Sequence, residues 1–241
     1  MEQPVIPRGL IVSCQADPGD PFYGAENIAR MALAAEAGGA VGLRINTVEN
    51  IVKVKQTVSI PIIGILKKRY GHSAAYITPT LKEVEEVIEA GADIVCIDGT
   101  ASTKPDGKTT ESFLHDIKKR FRIPIMTDVS NAQEGVTAWR AGADLIATTL
   151  AGYEAFLKNP VYDPTENFKE PDFEIIASLA EQVDIPVVAE GRFWTPEDVV
   201  KAMNLGAHGV VVGSAITRPQ LITKRMALAI DRFLEQSGRM V

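Results

Sequence analysis

Lys67 is the residue whose position most invites proton chemistry, because it ends the apolar run Ile62-Ile63-Gly64-Ile65-Leu66. An ammonium emerging between apolar walls loses hydration in its charged form, and its pKa can fall toward the range of about 7 to 8 that suits a general base. Lys68 and Arg69 follow at once, and basic clusters commonly face solvent, so an ion pair of Lys67 with Asp128 or Glu190 is the competing reading. Glu190 repeats the pattern with opposite charge, since Val187-Val188-Ala189 leads straight into it, and Asp98 and Asp128 close further apolar runs. Arg44 could hold an anionic or carbonyl oxygen, and Gln15 an amide or a hydroxyl. One ammonium among carboxylates is the equipment of a proton-transfer site.

The end of the chain adds a place for an anion. Val210-Val211-Val212 breaks into Gly213-Ser214, and Glu190-Gly191-Arg192 is a similar strand-to-glycine transition one unit earlier. In many eight-fold barrels the loops after strands seven and eight bind phosphate through backbone N–H groups. Gly191 and Gly213 permit that approach, and Arg192 and Arg218 could add charge-assisted bonds. The inferred ligand is a phosphorylated small molecule.

These residues need a scaffold that collects them. Gln15, Arg44, Lys67, Asp98, Asp128, Thr149, Glu190 and Ser214 each stand at the downstream end of a short apolar run that a helical segment follows. The runs cover residues 10–14, 40–43, 61–66, 93–97, 124–127, 145–148, 186–189 and 209–213, as suits buried parallel strands. Helical spacing is clearest over 81–90, 132–141, 173–183, 197–205 and 221–234. Thr80 with Glu83 has capping-box spacing, and Thr195 before Pro196 offers an N-cap hydroxyl and a first-turn proline. Gly38, Gly91, Gly142 and Gly206 stand where a left-handed residue would stop a helix. Ile-Pro steps precede strands three, five and seven, whereas glycine-alanine steps precede the even strands. That alternating repeat predicts an α/β fold of the (β/α)8 TIM-barrel type, a single domain over residues 1–241, rather than an open doubly wound sheet.

Composition removes other classes. The 241 residues carry 31 acidic against 25 basic side chains, a net charge of −6 that favours neither nucleic acid nor an anionic membrane as a partner. Residues 1–7 lack the form of a signal peptide, and no apolar stretch approaches the roughly 20 residues that span a bilayer, so a cytoplasmic protein is expected. Cys14 and Cys96 lie inside apolar runs and read as buried, reduced thiols. His72, His115 and His208 have no ligand-like spacing, so no metal site is expected, and the common dinucleotide, P-loop and serine-hydrolase motifs are absent. Trp139 and Trp194 read as packing residues, and inserts at 15–23 and 152–171 leave the expected mouth, where they could cover a ligand.

The stretches Ser13-Cys14-Gln15-Ala16-Asp17-Pro18-Gly19, Gly39-Ala40-Val41-Gly42-Leu43-Arg44 and Tyr76-Ile77-Thr78-Pro79-Thr80 have a familiar order. Thr148-Thr149-Leu150-Ala151-Gly152-Tyr153, Val188-Ala189-Glu190-Gly191-Arg192 and Val212-Gly213-Ser214-Ala215-Ile216-Thr217-Arg218-Pro219 continue it. Together they resemble the N-acetylmannosamine-6-phosphate 2-epimerase family, also called N-acylglucosamine-6-phosphate 2-epimerases, over about residues 10–230. The resemblance implies a TIM barrel that interconverts N-acetylmannosamine 6-phosphate and N-acetylglucosamine 6-phosphate in sialic acid catabolism, with no metal, nicotinamide or other cofactor. It places the catalytic pair on Lys67 and Glu190, substrate contacts on Gln15, Arg44, Asp128, Thr149 and Tyr153, and phosphate contacts near Gly191, Arg192, Gly213, Ser214 and Arg218. Lys67-Lys68-Arg69-Tyr70 and Ser130-Asn131 depart from the family pattern. The implied partner is a phosphorylated N-acetylhexosamine, and a homo-oligomer is left open. Two rivals remain at this stage: a Schiff-base lyase using Lys67, and a barrel that binds a phosphosugar without turning it over.

Overall fold

Strands pair strictly in chain order around a ring. In a computed structural model describing residues 5–152 and 169–237, β1 (Gly9–Cys14), β2 (Gly42–Asn46), β3 (Ile62–Ile65) and β4 (Ile94–Asp98) are followed by β5 (Ile125–Asp128), β6 (Leu145–Ala147), β7 (Val187–Glu190) and β8 (Gly209–Val212). All neighbours are parallel, and β8 returns to β1, so the expected closed barrel is the observed one. Closure leaves no unpaired sheet edge. The intervening helices are α1 (Ala25–Ala37), α2 (Val48–Lys55), α3 (Leu81–Glu89), α4 (Thr110–Arg120), α5 (Ala132–Arg140), α6 (Phe173–Gln182) and α7 (Pro196–Asn204). A short α8 (Ser214–Thr217) and a long α9 (Pro219–Gln236) follow β8.

Alternation along each strand divides the core in two. Leu43, Ile45, Val95 and Ile97 face outward into a cluster with Ile28, Val84 and Leu114 of the helices. Ile11, Ile63, Ile65, Cys96, Met126, Val188 and Val211 form a separate cluster that fills the barrel. Each such side chain contributes on the order of 1.5–3 kcal/mol when fully buried. Ile6 plugs the upstream end: a Cβ on Gly42 would stand 2.5 Å from its Cδ1, so the missing side chain there is what admits the plug.

Local signals worked unevenly. Thr195 caps α7 by accepting from the Asp198 N–H at 3.1 Å, with Pro196 in the first turn, as its sequence suggests. Thr80 precedes α3 but makes no side-chain cap; its hydroxyl donates to the Glu83 carboxylate instead. Gly38 is right-handed, and the left-handed residue is Gly39, at φ 93°. Cys14 and Cys96 are buried free thiols, and burial pushes the Cys14 thiol up to about 12. On α9, Met226, Ile230 and Phe233 are exposed at spacings that share one helix face.

Candidate active site

The inward rows of the barrel run directly into the polar residues at its downstream mouth. Gln15 stands two positions after Ser13, Lys67 two after Ile65, Thr149 two after Ala147 and Glu190 two after Val188, so the period of the strand aims all of them inward. They share a cavity of about 470 Å³, within the range typical of small-molecule sites. On β8 the same parity falls on Gly213, and Ser214, which also borders the cavity, begins α8.

Lys67 is fixed by its backbone. Its N–H donates to Asn46 Oδ1 at 3.1 Å, and it forms an antiparallel bridge with Ile77, flanked by Lys68 N–H to Tyr76 O at 2.8 Å and Thr78 N–H to Leu66 O at 3.0 Å. The Nζ donates to Gln15 Oε1 at 2.7 Å, and Gln15 Nε2 donates to Ser13 Oγ at 2.8 Å. Its hydrogen-bond partner is therefore a neutral amide rather than Asp128 or Glu190. Lys67 is open to the cavity, yet protein around its tip strips enough water to push the ammonium below the usual lysine range; Asp17 opposes the shift, and the charges of Arg44 and Arg218 assist it. Lys68 turns away to Glu83 Oε1 at 2.9 Å, and those contacts push its ammonium up. Arg69 returns to the cavity wall, its guanidinium 4.6 Å over the Tyr76 ring.

Arg44 and Asp128 lie under the cavity rather than on its wall. The apolar run suggested a strand ending at Leu43, but β2 continues to Asn46 and pairs Arg44 with Ser13 and Ile63, which sinks the side chain to 1% exposure. The guanidinium grips both oxygens of Asp128, reaches Glu190 Oε2 at 2.6 Å and donates to Thr149 Oγ1 at 3.1 Å. The Thr149 hydroxyl lies 2.6 Å from Asp128 Oδ1 and 3.0 Å from Glu190 Oε2. Burial pushes the Glu190 carboxyl above its ordinary range; Arg44 resists, and the negative Asp128 adds to the rise. One cation thus serves two carboxylates.

Asp98 is withdrawn from the cavity. Its Oδ1 accepts from the Thr100 N–H at 3.1 Å and hydroxyl at 2.6 Å, with the buried Lys104 Nζ at 3.5 Å, while Oδ2 accepts from the Tyr76 N–H at 3.3 Å. Arg69 and Tyr76 are wall residues that the strand-end pattern had missed, because a fold-back after β3 carries them. Trp194 also lines the cavity, correcting its reading as packing, and Arg225 of α9 stacks 4.7 Å over its ring.

The β7–β8 side adds two cationic groups, Arg192 and Arg218. Gly191 has φ 116° and Arg192 φ 64°, a left-handed angle that costs a non-glycine residue roughly 1–3 kcal/mol and concentrates at functional sites. The Arg192 guanidinium occupies the place a Cβ on Gly152 would need. Arg218 donates to Asp17 Oδ2 at 3.0 Å, tying this side to the loop after β1. Tyr153 lies outside the described residues. His72 and His208 sit 3.0 Å and 2.9 Å from the backbone oxygens of Pro105 and Ile6, and among the described residues no cluster of three His, Cys, Asp or Glu could hold a metal.

A family model described as "Putative N-acetylmannosamine-6-phosphate epimerase" matches residues 28–232. The chain belongs to that family. A Caldanaerobacter subterraneus subsp. tengcongensis protein carrying the corresponding 2-epimerase name is 52% identical over 226 residues, covering 93% of this chain and 92% of the relative. A Clostridioides difficile protein of the same name is 41% identical over 222 residues, covering 92% and 96%. The solved N-acetylmannosamine-6-phosphate 2-epimerase of Clostridium perfringens superposes with a TM-score of 0.82 at 40% identity, covering 93% of each chain. Inosine 5' monophosphate dehydrogenase from Legionella pneumophila, at TM-score 0.57 and 19% identity over 86% of this chain and 58% of that one, shares the fold.

For a member of the epimerase family, the division of labour in this cavity is chemically coherent. An amine pushed toward neutrality rises from β3 and a carboxyl pushed toward protonation rises from β7, halfway round the ring. The first can accept a proton and the second can donate one.

Proposed function

We propose that this protein interconverts N-acetylmannosamine 6-phosphate and N-acetylglucosamine 6-phosphate by removing and returning the C2 proton. Acidity at C2 requires an adjacent carbonyl, so the pyranose opens to its C1 aldehyde. The neutral Lys67 amine takes the C2 proton and becomes ammonium, while the C–H electron pair forms the C1–C2 double bond and charge passes to the C1 oxygen as an enolate, the acylamino group staying on C2. For ring opening, protonated Glu190 gives its proton to the ring oxygen and takes back the one released from the O1 hydroxyl, and it then donates to the C1 oxygen as charge builds there. The Lys67 ammonium, its protons exchanged with solvent, returns one to the opposite face of C2 while Glu190 recovers the oxygen's proton, which completes the inversion. The supporting observation is the single cavity that Lys67 and Glu190 share with Arg192 and Arg218. The two arginines, with Gly191, Gly213 and Ser214, hold the 6-phosphate, while Gln15 and Thr149 meet sugar oxygens.

Arg44 and Asp128 act in this reading from beneath, through Glu190. The reaction needs neither a metal nor a nicotinamide, and its setting is sialic acid and amino sugar catabolism. Two buried free thiols fit the reducing cytoplasm. No helix among the described residues is long and apolar enough to cross a membrane. One barrel domain carries the activity, and the exposed face of α9 supports self-association.

The test is a proton NMR time course with N-acetylmannosamine 6-phosphate in deuterated water. Appearance of the gluco epimer with deuterium at C2 is the expected result. Binding without turnover, or a borohydride-trapped adduct on Lys67, overturns it.

A further inference from the structure

Resting on the epimerase reading, the geometry of the wall beside Lys67 bears on which acyl groups the enzyme takes. With C2 at the Lys67 amine and the phosphate at the β7–β8 side, the acylamino group on C2 must lie within a few bonds of Nζ. On the β1 side that neighbourhood is polar, with Gln15 bonded to Lys67 and Ser13 and already assigned to a sugar oxygen. On the β4 side the wall is the half-buried Tyr76 ring with the Arg69 guanidinium 4.6 Å over it.

From this we infer that Tyr76 and Arg69 form the subsite for the N-acyl group and limit its length. A short acyl group presents a methyl and a carbonyl oxygen. The aromatic face suits the first, and the phenol or guanidinium N–H groups suit the second. The subsite is also rigidly mounted. Tyr76 O accepts from Lys68 N–H at 2.8 Å, so ring and base ride on the same fold-back. The Tyr76 N–H is held at 3.3 Å by Asp98, which Thr100 and the buried Lys104 fix in turn. Proton transfer makes no use of that buried pair, and holding Tyr76 gives it a role. Burial and the charges of Asp128 and Asp98 push the phenol above its ordinary range, so it stays a neutral donor.

The experiment compares kcat/KM for N-acetyl, N-propionyl and N-butyryl mannosamine 6-phosphate in wild type, Arg69→Ala, Tyr76→Leu and Tyr76→Phe. The butyryl-to-acetyl ratio should rise at least about tenfold in Arg69→Ala and in Tyr76→Leu, because each removes wall, while Tyr76→Phe keeps the ring and the wild-type ratio. Competitive inhibition by inorganic phosphate, which reads the other end of the cavity, should move less than about twofold in Arg69→Ala. A ratio unmoved in both Arg69→Ala and Tyr76→Leu overturns the inference. So does a loss of equal size for every acyl group, because it leaves the butyryl-to-acetyl ratio where it stands in wild type. Failure of wild type to epimerise any of the three sugars would instead strike the function proposed above.

Discussion

Lys67 Nζ stands 2.7 Å from Gln15 Oε1, and Ser13 turns the amide so that its oxygen, not its nitrogen, meets the amine. A neutral acceptor positions a base without the strong preference for its charged form that a carboxylate would impose. Gln15→Glu should therefore raise the Lys67 pKa, because a carboxylate in place of the amide favours the ammonium. Because the base works unprotonated, activity at neutral pH falls and the rising limb of kcat/KM moves to higher pH. A pH profile with that limb unmoved would show that Lys67 does not titrate in the rate.

Removing the amine itself tests its role as base. Lys67→Ala should lower both epimerisation and C2 deuterium exchange by at least about 10²–10⁴, the usual contribution of a positioned base. Circular dichroism should stay unchanged, since the backbone bonds of residue 67 survive truncation.

Glu190 is raised by burial and Lys67 is lowered by it, so a working state with neutral amine and protonated carboxyl gives a bell-shaped profile. Glu190→Gln cannot ionise. Its residual activity should rise with pH as Lys67 loses its proton and then level off, without the high-pH decline of wild type. Persistence of the decline in the variant removes Glu190 as its source.

Arg44 compensates the fully buried Asp128 carboxylate and also reaches Glu190. Arg44→Met should cost about 3–5 kcal/mol of stability, the penalty for stranding a buried charge. Adding Asp128→Asn to that variant should recover part of the loss. Urea unfolding measures both.

Gly152 leaves room for the Arg192 guanidinium and has φ 75°. Gly152→Ala should displace that side chain and weaken inhibition by inorganic phosphate by about tenfold, on the scale of one charge-assisted bond. An unchanged inhibition constant would separate Arg192 from the phosphate.

The barrel was legible because the inward rows of β3, β6 and β7 are apolar up to the mouth, so Lys67, Thr149 and Glu190 could be located from run endings, while on β1 the polar Ser13 already precedes Gln15. Depth was harder to read. Arg44 looked like a strand end because charge ordinarily marks the surface, and the partners that let it go inside, Asp128 and Glu190, lie 84 and 146 positions away. Asp98 shared the pattern of the mouth residues, but Thr100 and Lys104, only a few positions on, draw it out of the cavity. Tyr76 and Trp194 arrive on connections, where no periodicity reports direction. Ser214 missed the inward row by one position, the step at which β8 gives way to α8.

Asn46 and Ile77 clasp the peptide of Lys67 from two sides and leave the four methylenes unclasped. The amine is thus the tip of a long arm on a stationary shoulder, steadied at its end by Gln15. In the proposed reaction that shoulder does not turn with the chemistry, so it is the open-chain sugar that must present each side of its flattened carbon in turn.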